Sequence, residues 1–149
     1  MSSNAERTSE VKMSRRYLRL IQLLNTRLNH FPAHEQKGLA LVIREKAYSL
    51  CDHMVESQKR FHKLTHINNL DIAHEQLRMH LFTASQQGYF GHPASKDQSK
   101  TKEVLNAERY ASLTLLVDEF GRMIGGWKNK ILEEDKKRKE EARNGKPST

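Results

Sequence analysis

The chain has 149 residues, of which 26 are Lys or Arg and 18 are Asp or Glu, and its formal net charge is +8. Its length fits one domain with an ordinary hydrophobic core. No apolar run approaches the roughly 20 residues that cross a bilayer, and the polar N-terminus lacks the apolar core of an export signal. With its single cysteine, Cys51, this composition predicts a cytoplasmic protein with no membrane partner.

The first half of the chain predicts two long helices. Helix-forming residues dominate and only three prolines occur, so we expect an all-α fold. The first helix is predicted over residues 10–29 from apolar residues at three-and-four spacing, and Pro32 ends it. The same spacing predicts a second helix from about Ala33 to Phe61 or His62.

The third helix follows a short polar segment. Residues 65–69 are predicted to be a break between helices, in which Asn68 or Asn69 caps the next helix. We expect that helix to start near Leu70 and to stop before Gly88.

The connection over residues 88–100 carries two large aromatic residues, Tyr89 and Phe90. Such side chains are usually buried, so we expect both to fold back over one end of the core. The alternative is that they stay exposed in the loop and bind bases or a protein partner.

The fourth helix is predicted over residues 101–132. The charged segment 133–149 has hardly any apolar residue, so we expect a fraying helix that becomes disordered, and residues 1–9 are predicted to be flexible. Four helices joined by mostly short connections predict an up-down-up-down antiparallel four-helix bundle over residues 10–132.

The fourth helix contains three glycines close together, Gly121, Gly125 and Gly126, followed by the only tryptophan, Trp127. Each glycine inside a helix costs roughly 1 kcal/mol relative to alanine. We therefore expect a packing reason for the glycines, such as another backbone that approaches closely. The alternative is that the glycines only tolerate a crowded core.

Basic residues are concentrated on the first helix. No acidic residue occurs between Val11 and His34, so the cations of this helix have no compensating charge within it. Neutralising about six phosphates would give a log–log salt slope of roughly −4 to −5. A solvated charged face is the alternative. The residues predicted to bind nucleic acid or a polymerase are Lys12, Arg15, Arg16, Arg19, Arg27, Lys59, Arg60, Lys63 and Arg78.

The sequence predicts no metal site, no cofactor and no catalytic residue. His62 and His66 are four residues apart, but the Glu-x-x-His pairs of bundle metal sites do not occur, and surface histidines are the simpler explanation. No serine lies in a Gly-x-Ser-x-Gly turn and no glycine loop ends in Gly-Lys-Ser/Thr. We therefore expect a binding protein rather than an enzyme.

Three stretches of the sequence carry a family resemblance. They are Phe120 to Trp127, which reads FGRMIGGW; Phe31-Pro32 with Glu35 and Leu39; and Leu70-Asp71 with Leu77-Arg78 and Leu81. In this order and separation they resemble the Avd family, the accessory variability determinant proteins of diversity-generating retroelements. They also resemble the related four-helix proteins encoded in intervening sequences of bacterial 23S ribosomal RNA genes. The resemblance spans about residues 14–131.

The resemblance implies more than the residue pattern does. It implies that four residues of the last helix serve packing or assembly, within or between subunits: Gly121, Gly125, Gly126 and Trp127. Avd-like proteins are four-helix bundles that assemble into a homopentameric barrel, bind the reverse transcriptase, and associate with the template RNA and cDNA during mutagenic cDNA synthesis. Arg78 matches a basic residue of the family and is the first choice for contacting the polymerase or RNA. Phe82 stands where family members can place another arginine. The alternative is a structural bundle of the intervening-sequence type, without a dedicated nucleic-acid role.

Overall fold

The computed structural model describes residues 4–59, 61–93 and 99–145, and within these ranges it contains helices and no strand. Short 3₁₀ turns occupy Ala33–Glu35 and Tyr89–Gly91. Each helix packs against the next, and the last also packs against the first, so the predicted all-α four-helix architecture is confirmed. The four helices are α1 (Asn4–Asn29), α2 (Leu39–Lys59), α3 (Lys63–Gln86) and α4 (Lys102–Asn144).

The core is built from one apolar stripe on each helix. Its members recur three or four residues apart, which places them on one face of a helix. Tyr17 is the polar exception on α1: its hydroxyl donates to the carbonyl oxygen of Ala47 at 2.9 Å, and burial raises the pKa of the phenol. Fully buried members of the stripes include Leu20, Leu24, Leu28, Ile43, Leu50, Ile67, Leu70, Leu77, Leu113, Phe120 and Ile124.

The connection between α1 and α2 differs from the prediction. The second helix begins at Leu39 and not near Ala33, because the Glu35 carboxylate accepts a hydrogen bond from the Leu39 backbone N–H at 2.7 Å. That contact satisfies one of the free donors at the start of the helix. A Cβ atom at Gly38 would lie 2.7 Å from Glu35 Oε2, so a side chain there would displace the carboxylate that caps α2.

The predicted break over residues 65–69 is also wrong. The third helix already begins at Lys63, so the change of direction falls between Lys59, the last residue of α2, and Lys63. Ile67 is fully buried and Leu64 packs against the core. These two residues extend the apolar stripe of α3 backward from Leu70, and their burial outweighs the polar character of the residues between them.

The connection between α3 and α4 folds over one end of the bundle. As predicted, α3 ends before Gly88, which has the left-handed φ of 74° that favours glycine. The Phe90 ring is buried, meets Phe31 at 5.3 Å and stacks on Tyr110 at 5.9 Å between ring centroids. Tyr89 lies 5.5 Å from Phe31. The prediction that both aromatics fold back over the core is confirmed.

The first and last helices are longer than the sequence predicts. Helix α1 starts at Asn4 rather than at residue 10, and α4 continues past residue 132 to Asn144. The extension of α4 is exposed and carries pairs such as Asp135 with Lys139, 3.3 Å apart. The predicted domain boundaries at residues 9 and 132 stay predictions, and so does the disorder expected outside them. In the described ranges no helix holds an apolar stretch that could span a membrane.

Candidate nucleic-acid interface

Four of the predicted basic residues lie together in a groove between α1 and α4. Lys12, Arg15, Arg16 and Arg19 are exposed on α1, because the interleaved Met13, Tyr17 and Leu20 turn the opposite face of the helix to the core. The groove has a volume of about 670 Å³. We call it the basic groove, and its lining residues are Lys12, Arg15, Arg16, Arg19, Glu119, Arg122 and Met123.

Helix α4 contributes one cation and one carboxylate to the basic groove. Arg122 adds a fifth positive charge that the sequence analysis did not assign. Glu119 lies 3.1 Å from Arg16, so the folded bundle places one compensating carboxylate beside the cations of α1. Because 45% of the arginine side chain and 33% of the glutamate are exposed, this pair is worth at most about 1 kcal/mol. A phosphate can therefore compete with Glu119 for Arg16.

Arg27 does not extend the exposed basic surface. It is half-buried between α1 and α4, and its Nε atom has no hydrogen-bond partner among the described residues. Burial, and after it the charge of Arg109, lowers the pKa of the Arg27 guanidinium. Arg109 itself donates to the carbonyl oxygens of Phe90, His92 and Pro93 at 2.9–3.0 Å.

Two other predicted cations, Lys59 and Arg78, lie outside the basic groove and are paired with carboxylates. Lys59 lies 3.4 Å from Glu10. Arg78 lies 3.6 Å from Asp118 and 3.8 Å from Glu75, on the face between α3 and α4. The structure therefore does not bring these two residues to the basic groove.

Arg60 lies outside the described residues, and Lys63 is at the end of the bundle where α2 meets α3. The Lys63 Nζ atom lies 5.7 Å from the centre of the Trp127 ring, and Lys130 approaches the same ring at 5.4 Å. Trp127 is only 7% exposed. Its indole Nε1 has no hydrogen-bond partner in the described part of the chain.

The three glycines of α4 have different surroundings. A Cβ atom at Gly121 would lie 2.8 Å from Cε1 of His74. His74 is buried on α3 and its Nε2 lies 2.8 Å from the carbonyl oxygen of Val117, so this histidine is not the surface residue that was expected. A Cβ atom at Gly125 or Gly126 would meet nothing within 4 Å. Only Gly121 is required by close packing within the chain; a role of the other two in assembly stays a prediction.

Within the described part of the chain, the histidines form no recognisable metal site. His62 precedes the first residue of α3, whereas His66 lies within α3, 3.1 Å from Glu56 of α2. His53 approaches the same carboxylate at 4.0 Å. Across residues 4–59, 61–93 and 99–145, no group of three His, Cys, Asp or Glu side chains is arranged to hold a metal ion.

A family model described as bAvd-like matches residues 12–131. The chain belongs to the bAvd-like family. The resemblance to the Avd family is thereby confirmed, and this bAvd-like chain is an accessory protein of the Avd type, a family of accessory, non-catalytic proteins. A comparison with curated proteins found no match, and a comparison with solved structures found none either.

The matched region coincides with the packed part of the bAvd-like chain. It starts at Lys12, the first cation of the basic groove, and ends at Ile131, the last buried residue of α4. It includes the three glycines of α4 and leaves out the exposed helical extension after residue 132. The family model thus covers the four packed helices and the groove between α1 and α4.

Proposed function

We propose that this bAvd-like protein is the accessory subunit of a diversity-generating retroelement, and that it acts in the cytoplasm. In this role it binds the reverse transcriptase together with the template RNA and its cDNA, and it supports mutagenic cDNA synthesis. The observation that supports the nucleic-acid part of the proposal is the basic groove, where five cations surround a single carboxylate.

The basic groove suits a sugar–phosphate backbone. Lys12 and Arg19 are seven residues apart on α1, a separation of roughly 10 Å at 1.5 Å per residue. Arginine forks bind phosphate oxygens in a bidentate manner, and such contacts position a strand without reading its sequence. We therefore propose binding driven by counterion release, with steep salt dependence and little base specificity from the groove itself.

Arg78 remains the proposed contact for the polymerase. It is already paired with Asp118 and Glu75, so a phosphate would have to separate it from two carboxylates. A protein surface with both donors and acceptors can satisfy all three side chains together. For this reason we assign Arg78 to the reverse transcriptase rather than to RNA.

Co-expression with the reverse transcriptase of the same retroelement tests the proposal. We expect the two proteins to co-purify with RNA that survives nuclease treatment. If the protein neither retains the enzyme nor binds RNA in dilute salt, the proposal fails, and a structural bundle of the intervening-sequence type becomes the better description.

A homopentameric ring is the second part of the proposal. The face formed by α1 and α2 lies opposite the face formed by α3 and α4, because each helix packs against its two neighbours in chain order. Both faces expose large apolar side chains, which on soluble proteins mark interaction sites. A contact between two different faces closes into a ring when the rotation allows it. The residues are Val11, Leu18, Leu41, Tyr48 and Val55 on one face, and Ile72, Met79, Phe82 and Leu115 on the other.

Replacing Leu115 with glutamate is expected to produce monomers. The side chain is 66% exposed in the single chain, so its replacement leaves folding intact, whereas burying an unpaired carboxylate in an interface costs several kcal/mol. Light scattering measures the mass and thermal melting the stability. Leu18→Glu on the opposite face should have the same effect. Asn144→Glu, at the exposed end of α4 and beyond its last buried residue, should leave the assembly unchanged. A Leu115→Glu protein of wild-type mass would contradict this ring.

A further inference from the structure

A small cavity adjoins the basic groove. It lies between the N-terminal part of α1 and the glycine-rich part of α4, and its volume is about 200 Å³. Lys12 and Met123 line both the cavity and the groove, so the two spaces are adjacent. Pockets for drug-sized molecules occupy roughly 300–1,000 Å³, so this cavity suits a single ring system.

Trp127 forms part of the wall of the cavity. Its indole N–H is buried and no described residue accepts a hydrogen bond from it, so this N–H does not face the open space of the cavity. Lys63 and Lys130 lie over the indole ring. Lys12 and Lys130 also line the cavity, so their ammonium groups are donors that the cavity offers a ligand.

Gly126 keeps this cavity free of a side chain. It lines the cavity, yet a Cβ atom there would meet nothing within 4 Å. Close packing within the chain therefore does not require glycine here, in contrast to Gly121. A long side chain at this position would occupy space that the cavity now leaves open.

We infer that the cavity accepts one base of a single-stranded nucleic acid whose phosphates follow the basic groove. The inference rests on the proposed function and specifies what the groove binds. Met13 and Met123 supply apolar contacts for a planar base, and Lys12 and Lys130 supply donors for its acceptor atoms. The carboxylate of Glu10, the acidic group of the cavity wall, is engaged by Lys59 at 3.4 Å, so donors predominate. Bases splayed out of a single strand are recognised by such apolar contacts and hydrogen bonds to their edges.

The fluorescence of Trp127, the only tryptophan, tests the inference directly. We expect a short oligouridylate to quench this fluorescence. An abasic ribose-phosphate oligomer of the same length and charge should bind, as measured by anisotropy of a terminal label, and leave the fluorescence unchanged. Equal affinity and equal quenching by the two oligomers would overturn the base pocket while leaving the groove. Failure of both to bind in dilute salt would overturn the proposed function as well.

Two variants of the full-length protein separate the cavity from the groove. Gly126→Met fills the cavity and should lower the affinity for oligouridylate about tenfold, to the value for the abasic oligomer, whose binding should not change. Asn129→Met places the same side chain on α4 outside the cavity and should have no effect. Unchanged oligouridylate binding by Gly126→Met, with wild-type melting, would contradict the inference.

Discussion

Replacing Arg15, Arg16 and Arg19 with alanine will weaken RNA binding by roughly a hundredfold at low salt. The three side chains line one groove, so a bound strand would lose up to three phosphate contacts together. Each contact contributes about 0.7–0.9 to the log–log salt slope, and the slope should become shallower by about 2. A filter-binding titration at several salt concentrations measures both quantities.

Two control variants separate the groove from net charge. The first variant replaces Lys37, Lys46 and Lys102 with alanine. It removes the same charge from positions outside the groove, and most of the affinity for RNA should remain. Glu119→Gln removes the single carboxylate of the groove, releases Arg16 from its 3.1 Å pair, and should strengthen binding. If the groove variant and the lysine variant lose affinity equally, the groove is not the site.

Melting of the arginine variant should stay close to that of the wild type. The three side chains are exposed, and the pair formed by Arg16 and Glu119 contributes at most about 1 kcal/mol. A large drop in melting temperature would mean that the loss of RNA binding reports unfolding rather than the loss of phosphate contacts.

The part of the fold that depends on the spacing of apolar residues within a single helix was predictable from the sequence. Apolar spacing located all four helices, and Gly88 marked the end of the third. Helix α2 starts later than the apolar spacing predicts, because the Glu35 side chain caps the backbone N–H of Leu39 and this cap competes with a helix that would start near Ala33. The break predicted at residues 65–69 does not form, because the burial of Ile67 outweighs the polarity of its neighbours.

The candidate site was predictable only where it lies on one helix. The spacing of Lys12, Arg15, Arg16 and Arg19 already places them on a common side of α1. The contribution of Arg122 depends on which side of α4 meets α1, and no single-helix pattern contains that information. Burial of Arg27 depends on the neighbouring helix for the same reason.

Gly121→Leu is expected to lower the free energy of unfolding by about 3–5 kcal/mol. A Cβ atom at this position would lie 2.8 Å from Cε1 and 3.1 Å from Nε2 of His74. Insertion of side-chain atoms into a packed core costs about 1–3 kcal/mol, and displacing the imidazole would break its 2.8 Å contact with the Val117 carbonyl, worth a further 1–3 kcal/mol or so. For a chain of this size the melting temperature should fall by roughly 10 °C.

Gly125→Leu provides the matched comparison on the same helix. A Cβ atom there would meet nothing within 4 Å, so the melting temperature of the single chain should stay the same or rise, since leucine favours helix by up to about 1 kcal/mol. Any effect of this substitution should appear in the assembly, as a loss of mass in light scattering. If Gly121→Leu and Gly125→Leu melt alike, the contact with His74 is not what requires glycine in α4.

The double variant His74→Ala with Gly121→Leu tests the contact itself. Removing the buried imidazole leaves a cavity between α3 and α4, which a leucine at position 121 can partly fill. The two substitutions should therefore be non-additive, with the double variant more stable than the sum of the single effects predicts by 1 kcal/mol or more. Denaturant unfolding of the four proteins in the cycle measures this coupling, and additivity within about 0.5 kcal/mol would show that the two residues act independently.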